Sequence, residues 1–122
     1  MDLSVLGVEV TDLAYDTRAV TPGALFFCIP GTTVDGHDLA AAAVERGAAA
    51  LVVERRLELD APQLVVPSVR AAMGPVAADF FGRPSETLEI AAVTGTNGKT
   101  TTAFLLQAIL DAAGRRPALL TN

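Results

Sequence analysis

Two glycines and a lysine lie between an apolar run and a helical pattern in residues 91–102, which read AAVTGTNGKTTT. A phosphate-binding loop of the form GxxxxGK[ST] would have its first glycine at position 93, where this chain has Val93. Because Val93 still belongs to the apolar run, the pattern fits a shorter loop, GxxGKT, that begins at Gly95. The alternative is an ordinary turn between a strand and a helix, which leaves the lysine and the threonines after it unexplained.

The residues around this loop predict a β-α-β unit. We expect a strand over residues 88–94, a loop over residues 95–98, a helix from Lys99 or Thr100, and a second strand over residues 117–122. The helix carries an apolar stripe suited to packing on a sheet and ends at a glycine: Leu105, Ala108, Ile109, Ala112 and Gly114. A strand, a glycine loop and a helix in this order are the context in which a phosphate loop is expected.

The loop contains the groups that a polyphosphate site needs. Gly95 and Gly98 would let main-chain N–H groups turn toward the phosphates, and the helix N-terminus adds partial positive charge. Lys99 would bridge the outer phosphates, and the Thr100 hydroxyl would face a magnesium ion. The candidate nucleotide site is Gly95, Thr96, Asn97, Gly98, Lys99, Thr100 and Thr101. Such a loop does not by itself name a reaction, since kinases, GTPases and ligases share it.

Three apolar runs of strand length, ALFFCI, AALVVE and QLVVP, occur in residues 24–67, and one or two short strands are expected before them. A helical pattern, LAAAAVERGA, separates the first two runs, with Asp38 as its predicted N-cap and Gly47 near its end. A helix between apolar strands predicts an α/β layer structure. PGTTVDGHD is expected to be a loop, in which Gly31 and Gly36 are free to adopt positive φ.

The segment after the last run predicts a helix and then a domain boundary. Ser68 is a good N-cap for the helical pattern VRAAMGPVAADFFG, in which Gly74 and Pro75 predict a kink or two short helices in series. The polar, turn-rich stretch GRPSETL follows it. We therefore predict one domain over residues 1–84 and a second over residues 88–122.

Composition argues against several classes of function. The chain has 122 residues, 51% of them hydrophobic, and a formal net charge of −5. A nucleic-acid coat protein would need a basic face, and the apolar runs are too short to span a membrane. The N-terminus, MDLSVLGVEV, lacks the basic region of a secretory signal. We expect a cytoplasmic protein that binds neither nucleic acid nor membrane, and its single cysteine fits a reducing compartment.

Four polar residues outside the loop have a structural alternative to a functional role. Cys28, within LFFCIP, is expected to be a core thiol rather than a nucleophile. His37 has no second histidine or nearby cysteine for a metal site, so we expect it to form hydrogen bonds near the helix start at Asp38. Asp16 and Arg18 could form a local salt bridge or contact a ligand.

The loop TGTNGKTTT after an apolar strand resembles the ATP loop of the Mur ligases, which build the peptide stem of bacterial cell-wall precursors. Upstream, DTRAVTPGALFFCIPGTTVDGHDLAAAAVERGAAALVVE is similar to the UDP-binding domain of two of these enzymes. The MurE type adds a diamino acid, and the MurF type adds D-alanyl-D-alanine. The resemblance runs from Asp12 to Thr102. Asn97 is more typical of the MurE type, whereas the MurF type more often has serine at the position of Thr96.

The resemblance implies roles for residues that match the family's motifs. The loop from Gly95 to Thr101 would bind ATP, with Lys99 in the catalytic role and Thr100 also a ligand of Mg²⁺. In the family, a segment around Asp-Ser-Arg and the loop after the next strand hold the UDP. The matching residues here are Tyr15, Thr17, Thr32, Thr33 and Val34. Thr17 stands where the family usually has serine, which keeps the hydroxyl group.

The resemblance also implies an ATP-dependent ligase. ATP would phosphorylate the carboxylate of UDP-N-acetylmuramoyl-L-alanyl-D-glutamate, and the amine of a diamino acid would attack the acyl phosphate. Other family groups lie beyond the loop, so we expect an N-terminal piece, inactive alone, with a small α/β UDP-binding domain and the first βαβ unit of a parallel-sheet ATPase domain. The alternatives are a MurF-type ligase, a non-catalytic nucleotide-binding module and a different nucleotide hydrolase.

Overall fold

The computed structural model describes residues 3–121 and divides the chain into two compact units, Met1–Thr87 and Leu88–Asn122. The first unit has strands β1 (Asp12–Ala14), β2 (Ala24–Phe27), β3 (Ala50–Val53) and β4 (Gln63–Val65), and helices α1 (Ala40–Glu45) and α2 (Val69–Phe80). The second unit contains helix α3 (Lys99–Ala112). Short 3₁₀ turns occupy Leu3–Leu6, Thr17–Ala19, Gly36–Leu39 and Pro84–Glu86. Within residues 3–121, no helix is both long enough and apolar enough to cross a membrane.

The sheet is parallel throughout, in the order β1-β2-β3-β4. The central strands β2 and β3 are buried along their whole length, and Leu25 pairs with Ala50 while Phe27 pairs with Val52. Parallel strands that are covered on both faces have continuous apolar sequences instead of alternating ones. This explains why ALFFCI and AALVVE are recognisable as buried strands.

Helices cover the sheet on both faces and create two cores. Side chains of β2 and β3 alternate between these cores, as the two-residue period of a strand requires. The core against α2 contains Leu6, Leu25, Phe27, Ala50, Val52, Val66, Val69, Ala72 and Val76. The core against α1 contains Ala14, Ala24, Phe26, Cys28, Ala40, Ala43, Ala48, Leu51 and Val53. The α/β class expected from the sequence is confirmed.

The three α-helices of the described chain end in the same way. Each is followed by a glycine in the left-handed region: Gly47 (φ 105°), Gly82 (φ 71°) and Gly114 (φ 75°). The amide after each glycine bonds to the carbonyl five residues before it, in the pairs Ala48–Ala43 (3.0 Å), Arg83–Ala78 (2.7 Å) and Arg115–Leu110 (2.9 Å). This is the Schellman arrangement, which satisfies carbonyl groups that a helix end otherwise leaves free.

Of the two outcomes expected at Gly74 and Pro75, the pair of short helices is wrong, because one helix runs from Val69 to Phe80. Proline removes only the hydrogen bond to the carbonyl of Ala71, and Ala71 is exposed, so water can replace it. Proline also crowds the Cβ of the residue before it, and Gly74 has none. The glycine therefore makes the proline tolerable.

The predicted strands on either side of the glycine loop are also absent. Neither residues 88–94 nor residues 117–121 form a strand, and all four strands of the described sheet lie in the first unit. A strand requires a hydrogen-bonded neighbour, and these segments do not pair with each other. Instead Arg115 forms an ion pair with Glu89, at 2.7 Å, just after the end of α3.

Helix α3 is confirmed, but its predicted apolar stripe faces outward. Leu105 and Ile109 are 60% and 65% exposed, and no residue of α3 is buried. The partly buried residues of α3 lie along a different line of the helix: Ala103, Leu106, Gln107 and Leu110. A helix that is apolar on opposite sides is typical of one that is surrounded by protein.

We predict unequal hydrogen exchange along the chain. The amides of β2 and β3 should exchange most slowly, because both strands are completely buried, whereas the amides of α3 should exchange much faster because none of its side chains is buried. Native-state exchange followed by NMR or mass spectrometry measures this directly. Equal protection of α3 and the two strands would contradict the prediction.

Candidate functional site

The segments predicted to bind uridine leave neighbouring strands at the same edge of the sheet. Tyr15 follows β1 directly and is 68% exposed, and Thr17 lies two residues later. Thr32, Thr33 and Val34 follow β2 and are exposed. Ligands of open α/β sheets bind outside the carboxyl ends of parallel strands. The adjacent positions of β1 and β2 thus place both segments where such a ligand would bind.

The loop after β2 is a narrow turn closed by main-chain hydrogen bonds. Gly31 N–H donates to the Val34 carbonyl (3.1 Å), Pro30 and Asp35 form an antiparallel bridge, and Gly36 N–H donates to the Ile29 carbonyl (2.9 Å). Residues 32–34 form the exposed tip of this turn. Their side chains are therefore presented on a well-defined main chain.

Gly31 and Gly36 do not use the positive φ that is open to glycine. A Cβ at Gly31 would lie 2.5 Å from the Val34 carbonyl oxygen, and one at Gly36 would lie 2.5 Å from the Ile29 nitrogen. These glycines are needed because two main-chain segments approach closely, not because of their backbone angles.

Asp16 and Arg18 form the salt bridge that was one of their two expected roles. The Arg18 guanidinium donates to both carboxylate oxygens of Asp16, at 2.6 and 3.1 Å, although Arg18 is 86% exposed. Asp16 also caps the turn Thr17–Ala19 by accepting from the Arg18 N–H. The hydrogen bonds from Arg18 lower the pKa of Asp16 to about 2. The pair shapes the turn that contains Thr17.

His37 is buried, with 4% of its surface exposed, and forms hydrogen bonds through both ring nitrogens. Its Nδ1 lies 2.6 Å from Asp35 Oδ1, and its Nε2 accepts from the main-chain N–H of Glu54 at 2.9 Å. Since the Glu54 amide can only donate, the ring is neutral with its proton on Nδ1. The expected structural role near the helix start is confirmed.

The predicted cap Asp38 is wrong, because Leu39 is the N-cap residue of α1 and no side chain caps that helix, whereas Asp35 caps the 3₁₀ turn before it. Asp35 Oδ1 accepts from the His37 N–H at 2.9 Å and caps the turn Gly36–Leu39, which leads into α1. Its other oxygen accepts from Arg55 at 3.1 Å. Sequence reasoning missed Asp35 and Glu54 as partners of His37. The spacing Asp-Gly-His was a usable signal, since Asp side chains commonly bond the amide two residues later.

Cys28 is a core thiol, as expected. It is completely buried against α1, and its burial raises the pKa of the thiol to about 12. The thiolate is the reactive form of cysteine, so this residue is not suited to act as a nucleophile.

The predicted nucleotide loop is a compact turn at the start of α3. Gly98 is the N-cap residue, at φ 80°, and no side chain caps the helix. The first main-chain bond of the helix runs from Thr102 N–H to the Gly98 carbonyl (2.9 Å), so the amides of residues 99–101 lie outside the helical ladder. Lys99 Nζ folds back and donates to the Gly95 carbonyl at 2.6 Å.

These features suit an anion. Uncapped amides and a helix N-terminus attract negative charge, and Lys99 lies beside them. Magnesium usually takes one or two protein oxygens together with phosphate oxygens and water. The Thr100 hydroxyl fits as one such ligand, although residues 3–121 contain no group of three or more acidic, histidine or cysteine side chains placed to hold a metal.

Comparison with known proteins assigns the family. The model for the Mur ligase family, catalytic domain, matches residues 9–81, more than half of the chain. This chain belongs to the Mur ligase family. The matched residues include both predicted uridine segments and the hydrogen bonds around His37, and they end before the glycine loop at Gly95.

Mur ligases of known name are similar over nearly the whole chain. The UDP-N-acetylmuramoyl-L-alanyl-D-glutamate–2,6-diaminopimelate ligase of Geobacillus thermodenitrificans is 49% identical over 92% of this chain and 23% of its own length. The enzyme of the same name from Aquifex aeolicus is 45% identical over 98% of this chain and 25% of its own length. The chain therefore spans about a quarter of the length of these relatives.

Solved Mur ligase structures share the fold. A UDP-N-acetylmuramoyl-L-alanyl-D-glutamate–2,6-diaminopimelate ligase superimposes with a TM-score of 0.75 at 28% identity, covering 92% of this chain and 23% of that one. The MurF ligase of Thermotoga maritima, solved in complex with ADP, has a TM-score of 0.65 at 27% identity, covering 92% and 25%.

In this Mur ligase chain, Asp35 should stabilise the fold in a pH-dependent way. Hydrogen bonds from the His37 N–H and ring lower the pKa of Asp35 from 3.8 to about 2. Because the folded-state pKa is depressed, this stabilisation is complete above the unfolded-state value and is lost as the pH falls through the folded-state value. Asp35→Asn should lower the free energy of unfolding at pH 7, and its difference from wild type should shrink between pH 4 and pH 2.

Urea unfolding followed by circular dichroism over this pH range measures the difference. Asp38→Asn is the matched control, because it removes an exposed carboxylate from the same turn. A difference between wild type and Asp35→Asn that stays constant down to pH 2 would show that the Asp35 hydrogen bonds do not contribute in this way.

Proposed function

We propose that this chain is part of an ATP-dependent amide ligase of peptidoglycan synthesis. The reaction adds 2,6-diaminopimelate to UDP-N-acetylmuramoyl-L-alanyl-D-glutamate in the cytoplasm. The observation that carries the proposal is 45–49% identity, over at least 92% of the chain, to relatives that bear this name. Residues 1–84 bind the UDP part of the substrate, and residues 88–122 begin the ATP-binding domain.

The chemistry brings two anions together. The substrate carboxylate attacks the γ-phosphorus of ATP, the bond to ADP breaks, and an acyl phosphate forms. The amine of the diamino acid then attacks the acyl carbon and inorganic phosphate leaves. Phosphoryl transfer of this kind depends on positioning and on neutralising the phosphate charge. Lys99 and the uncapped amides at the start of α3 supply positive charge for that purpose.

The predicted site residues form two groups, one for each of two substrates. Tyr15, Thr17 and the tip of the loop after β2, which consists of Thr32, Thr33 and Val34, contact the uridine. The loop from Gly95 to Thr101 binds the triphosphate, with the Thr100 hydroxyl as one ligand of Mg²⁺. ADP in the related Thermotoga maritima ligase supports a nucleotide as substrate.

Two other functions make different predictions. A MurF-type ligase would add D-alanyl-D-alanine, but the relatives that are 45–49% identical bear the name of the diaminopimelate ligase. The solved structures do not separate the two types, since the MurF ligase is 27% identical and the diaminopimelate ligase is 28% identical. Asn97 also favours the diaminopimelate enzyme. A non-catalytic module would bind ATP tightly without further protein, whereas a chain that spans about a quarter of a ligase should bind it weakly.

We predict that UDP binds to the carboxyl edge of the sheet in the first unit. Titration of UDP into the ¹⁵N-labelled chain should shift the amides of residues 15–17 and 32–34. Thr17→Val keeps the shape but removes a hydroxyl group, so UDP should bind about 3- to 10-fold more weakly, as expected for one net hydrogen bond. Glu45→Ala, at the exposed C-terminal end of α1, should leave the affinity unchanged.

A chain that binds no UDP would contradict the proposal. Tight binding of ATP by the same chain would favour the module instead.

We predict that Lys99 contributes most of the side-chain attraction for triphosphate. Titration of ATP and Mg²⁺ at millimolar concentration should shift the amides of residues 95–101. Lys99→Ala should weaken this binding about 10- to 100-fold, as expected for a hydrogen bond to a charged group. The fold should survive, because Lys99 is exposed and bonds only its own loop.

Arg116→Ala removes the same charge beyond the C-terminal end of α3 and is the matched control. If both variants lose the same affinity, net charge rather than the loop accounts for the binding.

A further inference from the structure

The proposed reaction gives no role to His37, although it is the one buried polar or charged residue among residues 3–121. Buried polar groups are costly unless every partner is satisfied, and a completed network fixes one arrangement of the chain. Here both ring nitrogens of His37 are satisfied, by Asp35 and by the Glu54 amide. The question is what this network holds in place.

At one end the network holds the base of the turn that carries the predicted uridine contacts. Asp35 bridges to Pro30 across the turn, and residues 32–34 lie between them. Asp35 Oδ1 receives two hydrogen bonds from His37, one from its main chain and one from its ring. The imidazole is thus one of three groups that hold the Asp35 carboxylate at the base of the turn, together with the His37 N–H and the Arg55 guanidinium.

At the other end the network reaches two more elements at the same edge of the sheet. The Glu54 amide, which donates to His37, follows the last residue of β3. The Glu54 side chain accepts from the N–H of Val69, the first residue of α2, at 2.9 Å. A single imidazole therefore connects the turn after β2 to the end of β3 and, through Glu54, to the start of α2.

We propose that His37 is a positioning residue for uridine binding, which acts through Asp35 and does not touch the ligand. This inference rests on the proposed uridine site at residues 32–34. A turn that is already held in its binding conformation loses less conformational entropy when the ligand binds. The imidazole has this effect in one tautomer only, with the proton on Nδ1 directed at Asp35.

Two substitutions separate the two hydrogen bonds of the ring. The Asn side chain is short and can place its NH₂ near the position of Nδ1, so His37→Asn keeps a donor for Asp35 and loses the acceptor for Glu54. The longer Gln side chain can place its oxygen near the position of Nε2, so His37→Gln keeps the bond to the Glu54 amide and loses the one to Asp35. Each variant lacks one buried hydrogen bond, which makes them matched controls for stability.

The test measures UDP affinity by NMR titration and the melting temperature for the whole chain and both variants. We expect similar losses of melting temperature, about tenfold weaker UDP binding for His37→Gln, as for one charge-assisted hydrogen bond, and near wild-type binding for His37→Asn. Equal UDP affinity in the two variants would overturn the inference, because a purely structural role does not distinguish the two bonds. Wild-type affinity for UDP in both variants would also overturn it.

A second measurement needs no variant. His37 is the single histidine of the chain, so the ¹⁵N spectrum of its ring is assigned without ambiguity. We expect the Nδ1-protonated tautomer with and without saturating UDP, and a ring protonated on Nε2 or on both nitrogens would overturn the inference. A wild-type chain that does not bind UDP would reject the proposed function and this inference together, whereas normal wild-type binding with unaffected variants rejects the inference alone.

Discussion

Burial of the central strand pair on both faces is the constraint on which the first unit depends. β2 and β3 are apolar at every position, so neither face of the pair can be left in water. Two helices must therefore cover opposite faces, and the short chain does this with α1 and α2. Because all four strands are parallel, their carboxyl ends lie at one edge of the sheet. The candidate uridine site exists at that edge for this reason.

Much of this arrangement was predictable from the sequence. Continuous apolar runs identify β2 and β3, and Gly47 and Gly114 mark the ends of α1 and α3 as expected. Predictions from local sequence were wrong where a residue or strand distant in the chain determines the structure. Two carboxylates, Asp35 and Asp38, both suit a cap, but Asp35 caps the turn before α1, where it also contacts the His37 ring, and no side chain caps α1 itself. Similarly, an apolar segment such as residues 88–94 becomes a strand only when another strand lies beside it.

The two predicted ligand loops, one in each unit, differ in how their main chain is held. The loop after β2 is closed at its base by main-chain hydrogen bonds, and its tip is exposed. In the glycine loop, no side chain caps the amides at the start of α3, and Lys99 donates to the Gly95 carbonyl of the same loop. For both loops, contact with a ligand stays a prediction.

The junction between α1 and β3 restricts how this protein can be engineered. Gly47 closes α1, its carbonyl accepts from the Gly23 N–H at 2.9 Å, and a Cβ on it would lie 3.1 Å from Pro22. β3 begins at Ala50, only three residues later. Because the connection is so short, one inserted residue here would shift β3 by one position. The β3 side chains that face one core would then face the other. Affinity tags and reporter fusions therefore belong elsewhere in the first unit.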